Sequence, residues 1–146
     1  MQLLDHVSIT VRDLQRVKPF YVAVMKALGA QIAYERADAI GFGERNRPHD
    51  DVHTYLSVFE SSAARPDPRR HYCLRADSVE RVNAFHTAGI AAGGESDGAP
   101  GLRSYHPGYY AAFVLDPEGN KIEAVFHHAE TAQTRVAADA PQAGRR

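Results

Sequence analysis

The stretches LDHVSITVRDLQRVKPFY (residues 4–21) and RHYCLRADSVERVNAFH (residues 70–86) decide the fold, because they are two copies of one sequence unit. A shift of 65 residues, from position 6 to position 71, aligns the copies without a gap and with seven identities. The identical pairs are His6 and His71, Arg16 and Arg81, Val17 and Val82, Phe20 and Phe85, Ala23 and Ala88, Ala27 and Ala92, and Gly29 and Gly94. So many identities in one frame indicate a duplicated unit and a fold with two similar halves.

Each copy begins with the pattern of a strand followed by a helix. In the first copy Val7, Ile9 and Val11 alternate with polar residues, which predicts a strand covered on one face. Asp13 then has the place of a helix N-cap, and apolar residues follow at spacings of three or four until Gly29 ends the helix. The apolar positions are Leu14, Val17, Phe20 or Tyr21, Val24 and Leu28.

Short strands are predicted after this helix, near Gln31–Glu35, Ile40–Gly43 and His53–Phe59. Residues 60–70, ESSAARPDPRR, contain two prolines, five charges and no large apolar side chain, which is typical of a linker. The pattern therefore predicts a first module over residues 1–60, a linker over 61–69 and a second module over 70–128, together one domain.

The second copy is predicted to end in a hairpin. Residues 95–108, ESDGAPGLRSYHPG, are predicted to form a long loop, which is either a functional lid or merely a mobile segment. DPEGN at 116–120 has Asp, Pro and Gly where a type I turn favours them, and joins two strands. Residues 129–146 are predicted to be disordered. The fold class is α+β, with two tandem βαβββ modules.

His6, His71 and Glu123 are the candidate metal ligands. Strand alternation places each of them on the face opposite the apolar residues of its own strand, away from the helices. Two imidazoles at the same place in two copies, with a carboxylate near the end of the second, form a ligand set for a divalent metal. The alternative interpretation is two hydrogen-bonded histidines and one solvated glutamate.

Composition narrows the class of partner. The 146 residues are 44% hydrophobic and 24% charged, which suits one globular domain. The net charge of −1 provides no positive field for nucleic acid or an anionic membrane, so we expect a small-molecule substrate. One cysteine, no secretion pattern and no long apolar run predict a cytoplasmic protein.

The two copies, together with YYAAFVLDPEGNKIEAVFH (residues 109–127), resemble the signature stretches of the vicinal oxygen chelate superfamily. That superfamily includes glyoxalase I, fosfomycin-resistance enzymes, ring-cleaving dioxygenases and bleomycin-resistance proteins. The resemblance implies a cupped mixed sheet around a metal-centred cavity, with ligand positions that fall on His6, His71 and Glu123. It also implies a divalent ion, with Zn, Ni, Mn, Fe and Co all open, and a site built within one chain or across a homodimer, which we expect.

The resemblance leaves the fourth ligand position of the family open. Aligning Val58-Phe59 with Val125-Phe126 puts Leu56 at the place of Glu123, and a slip of one residue offers Tyr55 or Ser57 instead. Leucine cannot bind a metal, so the expected function is a glyoxalase-like enzyme with three protein ligands. A lactoylglutathione lyase-type reaction is the first expectation, with thiol transfer and dioxygenation open. The alternative is a metal-independent antibiotic-binding protein of the bleomycin-resistance type.

Further residues are predicted to act on the substrate. Histidine titrates near neutral pH, so His106, with Tyr105 beside it, is the candidate for proton transfer. Cys73 is expected to line the cavity, and His127 and His128 to be exposed. The candidate substrate-binding residues are Tyr55, Arg75, Tyr109 and Tyr110.

Overall fold

The computed structural model describes residues 4–49, 52–67 and 69–128 and contains two helices and eight strands within them. The predicted α+β fold of two tandem βαβββ modules is confirmed. The predicted disorder of residues 129–146 lies outside the described residues. The elements of module 1 are β1 (His6–Val11), α1 (Leu14–Ala27), β2 (Ile32–Arg36), β3 (Ala39–Gly43) and β4 (Tyr55–Glu60). Those of module 2 are β5 (His71–Arg75), α2 (Val79–Ala91), β6 (Glu95–Leu102), β7 (Tyr109–Leu115) and β8 (Lys121–His127).

The two modules have the same sheet topology. The strand orders are β1-β4-β3-β2 and β5-β8-β7-β6. In each sheet the first strand of the module pairs in parallel with the last, and the other pairs are antiparallel. Strands β1 and β5, which carry the repeated histidines, therefore each lie at an edge of their sheet.

The helices form in the places that the sequence predicts. The Asp13 side chain accepts a hydrogen bond from the Arg16 backbone N–H at 3.0 Å, as an N-cap does, and Gly29 follows the helix with a φ of +84°. The apolar stripe of α1 is buried, and α1 packs on α2. One continuous core joins residues of both helices and of the helix-facing side of both sheets. The opposite face of each sheet is turned away from this core.

A turn of module 2 holds the start of α1. The Tyr21 hydroxyl donates to Asp116 Oδ2 at 2.8 Å, and both atoms are buried. The two oxygens of the Glu118 carboxylate accept from the backbone N–H groups of Arg12 and Asp13, at 2.7 and 2.8 Å. These bonds fix the junction of β1 and α1 against the other module.

Two predictions about connections had different outcomes. The turn over residues 116–120 is confirmed, because Gly119 N donates to Asp116 O at 2.9 Å and β7 and β8 pair antiparallel. The loop prediction for residues 95–108 is wrong over Glu95–Leu102, which form β6. This strand pairs with β7 through a register that shifts on either side of Gly98, so it lacks the regular alternation that predicts a strand.

None of the helices within the described residues is long and apolar enough to span a membrane.

Candidate functional site

The side chains of His6, His71 and Glu123 lie on the open faces of the two sheets, opposite the common core. On β1 the core takes Ile9 and Val11 and leaves His6 exposed. On β8 the core takes the neighbours of Glu123 on both sides. Strand alternation therefore places the three predicted ligands on the side that the sequence analysis assigns to them.

His71 and Glu123 meet on the open face of module 2. His71 Nε2 lies 3.2 Å from Glu123 Oε2, and the Tyr109 hydroxyl donates to Glu123 Oε1 at 2.6 Å. The Glu123 carboxylate is nearly inaccessible to solvent, at 3% side-chain exposure, whereas His71 is 44% exposed. An imidazole and a carboxylate whose polar atoms converge in this way form two of the three places of a His/His/Glu set.

Cys73 and Tyr109 both stay protonated beside this carboxylate. Removal from water, followed by the charge of Glu123, raises the pKa of the Cys73 thiol to about 12. Removal from water and the hydrogen bond to Glu123 raise the pKa of the Tyr109 hydroxyl. Cys73 is thus a neutral thiol at pH 7, and Tyr109 is a hydrogen-bond donor to Glu123.

His6 has its own set of partners on module 1. Its Nδ1 lies 2.6 Å from Asp5 Oδ1, and the other oxygen of Asp5 accepts from Asn46 Nδ2 at 2.6 Å. These two hydrogen bonds lower the pKa of Asp5. The His6 ring also stacks on Tyr55, with centroids 5.0 Å apart and planes 17° from parallel. With its Nδ1 bound to a carboxylate, His6 has Nε2 left for a metal, which is the usual arrangement of a metal-binding histidine.

One chain does not bring the three predicted ligands together. Within residues 4–49, 52–67 and 69–128, no group of three His, Cys, Asp or Glu side chains is placed to hold a metal ion. His6 belongs to module 1, and His71 and Glu123 to module 2. A single chain therefore separates the predicted ligands into two groups, one with a histidine and one with a histidine and a carboxylate.

Strand pairing identifies the residue of module 1 that corresponds to Glu123. Ser8 and Cys73 are equivalent under the 65-residue shift; Ser8 lies opposite Ser57, and Cys73 lies opposite Glu123. Ser57 is thus the equivalent of Glu123, and the assignment of Leu56 to that place is wrong by one residue. Leu56 faces the core, where it is 6% exposed.

The residue at this fourth position offers a hydroxyl instead of a carboxylate. Ser57 Oγ accepts a hydrogen bond from the Tyr34 hydroxyl at 2.8 Å and is itself buried. A neutral hydroxyl that already has a partner is a weak ligand for a divalent ion compared with glutamate. Ser57, and not Leu56, is therefore the residue at the fourth position, and it supplies no carboxylate.

An aromatic cluster adjoins Glu123 through Tyr109. The rings of Tyr105, His106 and His127 each have their centroids 5.0–5.1 Å from that of Tyr109. His106 stacks on His127, with centroids 5.1 Å apart. Tyr105 and His106, the candidates for proton transfer, therefore lie one ring away from Glu123. His127 is exposed as predicted, but it is part of this cluster.

The other predicted substrate contacts are divided between the faces. Tyr110 lies on the helix side of β7, and its hydroxyl donates to Asn83 Oδ1 of α2 at 2.9 Å. Tyr110 is therefore not on the open face, because neighbouring residues of β7 point to opposite faces and Tyr109 occupies the open one. Arg75 is exposed at the end of β5, and Tyr55 lies beneath the His6 ring.

Sequence reasoning missed four residues of the module 1 face: Asp5, Asn46, Arg36 and Arg45. The position of Asp5, next to His6 in the chain, is a signal that was available. The others had no such signal, because Asn46 and Arg45 follow β3 in a segment that reads as a turn. Arg36 and Arg45 line a pocket of about 450 Å³ that also contains His6.

The chain belongs to the Glyoxalase/Bleomycin resistance protein/Dioxygenase superfamily, whose family model matches residues 3–124. The family resemblance predicted from the sequence is thereby confirmed. No curated protein sequence is significantly similar to the chain.

Solved structures have the same fold. A glyoxalase/bleomycin resistance protein from Albidiferax ferrireducens T118 is 27% identical over 85% of this chain and 98% of that one, with a TM-score of 0.71. The fosfomycin resistance protein FosX from Listeria monocytogenes is 17% identical over 92% of this chain and 98% of that one, with a TM-score of 0.60. FosX from Mesorhizobium loti is 16% identical over 93% and 98%, with a TM-score of 0.57. At these identities the two FosX structures indicate a shared fold alone.

Proposed function

We propose that the protein is a glyoxalase-like, metal-dependent enzyme that acts as a homodimer. His6 of one chain would hold a divalent ion together with His71 and Glu123 of the partner subunit. The observation that carries the proposal is the division of the ligand set between the two open faces. His71 Nε2 and Glu123 Oε2 lie 3.2 Å apart on one face, and His6, with its Nδ1 bound to Asp5, lies on the other.

The edges of the sheets support assembly from two copies. Strands β1 and β5 each have a hydrogen-bonded neighbour on one side only, so each leaves backbone groups free for a further contact. A two-fold axis that brings β1 of the first chain next to β5 of the second also brings β1 of the second chain next to β5 of the first. Such a dimer contains two equivalent sites, each built from module 1 of one chain and module 2 of the other.

The residues around the proposed ion have defined tasks. A divalent ion with two imidazoles and one carboxylate keeps positions for two adjacent substrate oxygens and acts on them as a Lewis acid. Asp5 orients His6, and Tyr109 orients Glu123. His106, which packs on Tyr109, would move a proton of the bound substrate.

Isomerisation of a thiol adduct of a ketoaldehyde, the lactoylglutathione lyase type of reaction, is the first reaction that we propose. Opening of an epoxide and oxygenation of a catechol use the same coordination of adjacent oxygens. Assays with methylglyoxal and glutathione, with fosfomycin and with catechols distinguish the three. A protein that binds such compounds equally well after exhaustive chelation, without turnover, would instead be a metal-independent binding protein.

The metal content of variants tests the ligand set. Protein purified without chelators is expected to contain about one divalent ion per chain, and His6→Ala and Glu123→Ala are expected to lose most of it. His86→Ala is the matched control, because His86 bonds to Ser96 on α2 and β6, apart from the proposed site. Elemental analysis measures the result. Wild-type protein without metal, or a metal content that neither variant reduces, would contradict the proposal.

Mixing the two variants tests whether the site is shared. A heterodimer of His6→Ala and Glu123→Ala chains has one intact site and one site that lacks both residues. After free exchange of subunits, about one quarter of the wild-type sites should return. If each chain builds its own site, mixing restores none, and the dimeric part of the proposal fails.

A further inference from the structure

Among the residues that the structure describes, the open face of module 1 contains a pocket whose lining has two arginines and no carboxylate. Among the described residues, it is lined by His6, Ser8, Tyr34, Arg36, Arg45, Tyr55, Ser57 and Phe59. Its volume of about 450 Å³ is that of a site for a small organic molecule.

Aromatic rings hold both arginines in place. The guanidinium carbon of Arg45 lies 5.0 Å from the ring centroid of Tyr34 and 5.1 Å from that of Tyr55. That of Arg36 lies 5.4 Å from the Tyr34 ring and 5.7 Å from the Phe59 ring. A guanidinium group that stacks on a ring uses its face, so the N–H groups in its plane remain available to oxygen atoms.

Among the described residues, a weak ion pair is formed by Arg36 and none by Arg45. Asp38 lies 3.6 Å from Arg36, but both of these side chains are more than half exposed, so the pair is weak. Among the described residues, no hydrogen bond or ion pair joins Arg45 to any side chain. Two guanidinium groups near the Tyr34 ring make this part of the pocket positively charged, which favours an anionic ligand.

Hydroxyl groups add neutral donors to the same face. Ser8 and Ser57 lie opposite each other on β1 and β4, and the Tyr34 hydroxyl donates to Ser57. The side chains of this pocket therefore combine fixed cations, hydroxyls and ring surfaces. These groups suit a ligand with an oxyanion at one end and an apolar body.

We propose that Arg36 and Arg45 bind the oxyanion, a carboxylate or phosphonate, of a small substrate whose other oxygens reach the metal beside His6. The inference deepens the proposed function and rests on it for the catalytic meaning of the ligand. The binding step itself does not require a metal, so the two can fail separately.

Titration of chelator-treated protein with phenylphosphonate and with benzoate tests the inference. These probes share an aromatic body and differ in the oxyanion, and neutral benzamide controls for charge. The preferred probe identifies which oxyanion the pocket takes. At least one of the two anions should bind, and in wild-type protein it should shift the Nε–H resonances of Arg36 and Arg45 in NMR spectra. Absence of these shifts with both anions, or equal binding of benzamide, would overturn the proposal.

Variants supply the second measurement. Arg36→Gln and Arg45→Gln should each weaken binding of the anion by roughly 10-fold to 100-fold, as loss of a charge-assisted hydrogen bond does. Arg69→Gln, in the linker, removes the same charge outside the pocket and should change affinity by less than about twofold. Unchanged affinity in either variant overturns the proposal, and Arg45→Met, which also removes the charge, replaces Arg45→Gln if that variant does not fold. Metal binding without anion binding refutes this inference alone, whereas anion binding without metal binding refutes only the proposed metal site.

Discussion

The position of His6 is fixed by two neighbours of different kinds. The Asp5 carboxylate bonds to Nδ1, and the Tyr55 ring supports the imidazole from one face. Both contacts limit the rotation of a side chain that is otherwise exposed. In the proposed metal site, a histidine that is oriented before the ion arrives would lose less conformational entropy when it binds.

If the proposed metal site exists, Asp5→Asn is expected to weaken metal binding by about 10-fold to 100-fold, because the histidine loses the carboxylate that binds its Nδ1. Competition with a chromogenic chelator measures the affinity. Asp77→Asn serves as control, since Asp77 pairs with Arg81 at the start of α2. If Asp5→Asn binds metal like the wild type while His6→Ala does not, Asp5 has no part in the site.

The residues that sequence could and could not predict differ in how their positions are set. The faces of His6, His71 and Glu123 each follow from alternation along their own strands, so the sequence predicts them. Arg45 and Asn46 reach the same face from an irregular segment after β3. Their positions depend on where the strands of module 1 bring that segment, which no local pattern encodes.

The 116–120 turn is the element that ties module 2 to α1. Asp116 accepts hydrogen bonds within its own turn and from the buried Tyr21 hydroxyl. Burial, followed by the charge of Asp116, raises the pKa of Tyr21 well above its usual value near 10. The protonated hydroxyl is therefore part of the folded state.

Tyr21→Phe should lower the free energy of unfolding at pH 7 by about 1–3 kcal/mol, because Asp116 loses a buried donor. A group whose pKa is raised on folding contributes its full stability below the ordinary pKa, and this contribution is lost as pH rises from there through the raised pKa of the folded state. The difference between wild type and variant should therefore shrink above about pH 10. Urea unfolding at pH 7 and pH 11 measures it.

The exposed Tyr105 supplies the control for this prediction. Tyr105→Phe should change stability by less than about 0.5 kcal/mol. A stability difference between wild type and Tyr21→Phe that instead stays constant from pH 7 to pH 11 would contradict the prediction. That result would show that folding does not raise the pKa of the Tyr21 hydroxyl.

Strand β6 and the register of β4 show the limit of prediction at this scale. Gly98, Pro100 and Gly101 lower the strand propensity of β6, and only pairing with β7 makes it a strand. The equivalence of Ser57 and Glu123 likewise follows from pairing across the sheet. Aligning Val58-Phe59 with Val125-Phe126 shifts β4 by one residue against β8. A shift of one residue moves every side chain of a strand to the opposite face.

The whole molecule should unfold in one step. Helices α1 and α2 share a core to which both sheets contribute, so neither module can bury its apolar face alone. Differential scanning calorimetry should give one transition with equal calorimetric and van't Hoff enthalpies at a fixed concentration. Two resolved transitions would show that the modules are independent.

The two open faces of one chain belong to different sites in the proposed dimer. Each chain therefore contributes ligands to both sites, and substitutions in one chain can damage both of them. A chain with both His6→Ala and Glu123→Ala contributes one defect to each site when it pairs with a normal chain. Such a heterodimer has no intact site, although half of its subunits are wild type. The double substitution would then be dominant-negative. A heterodimer of a wild-type chain and a chain with only one of the substitutions keeps one working site.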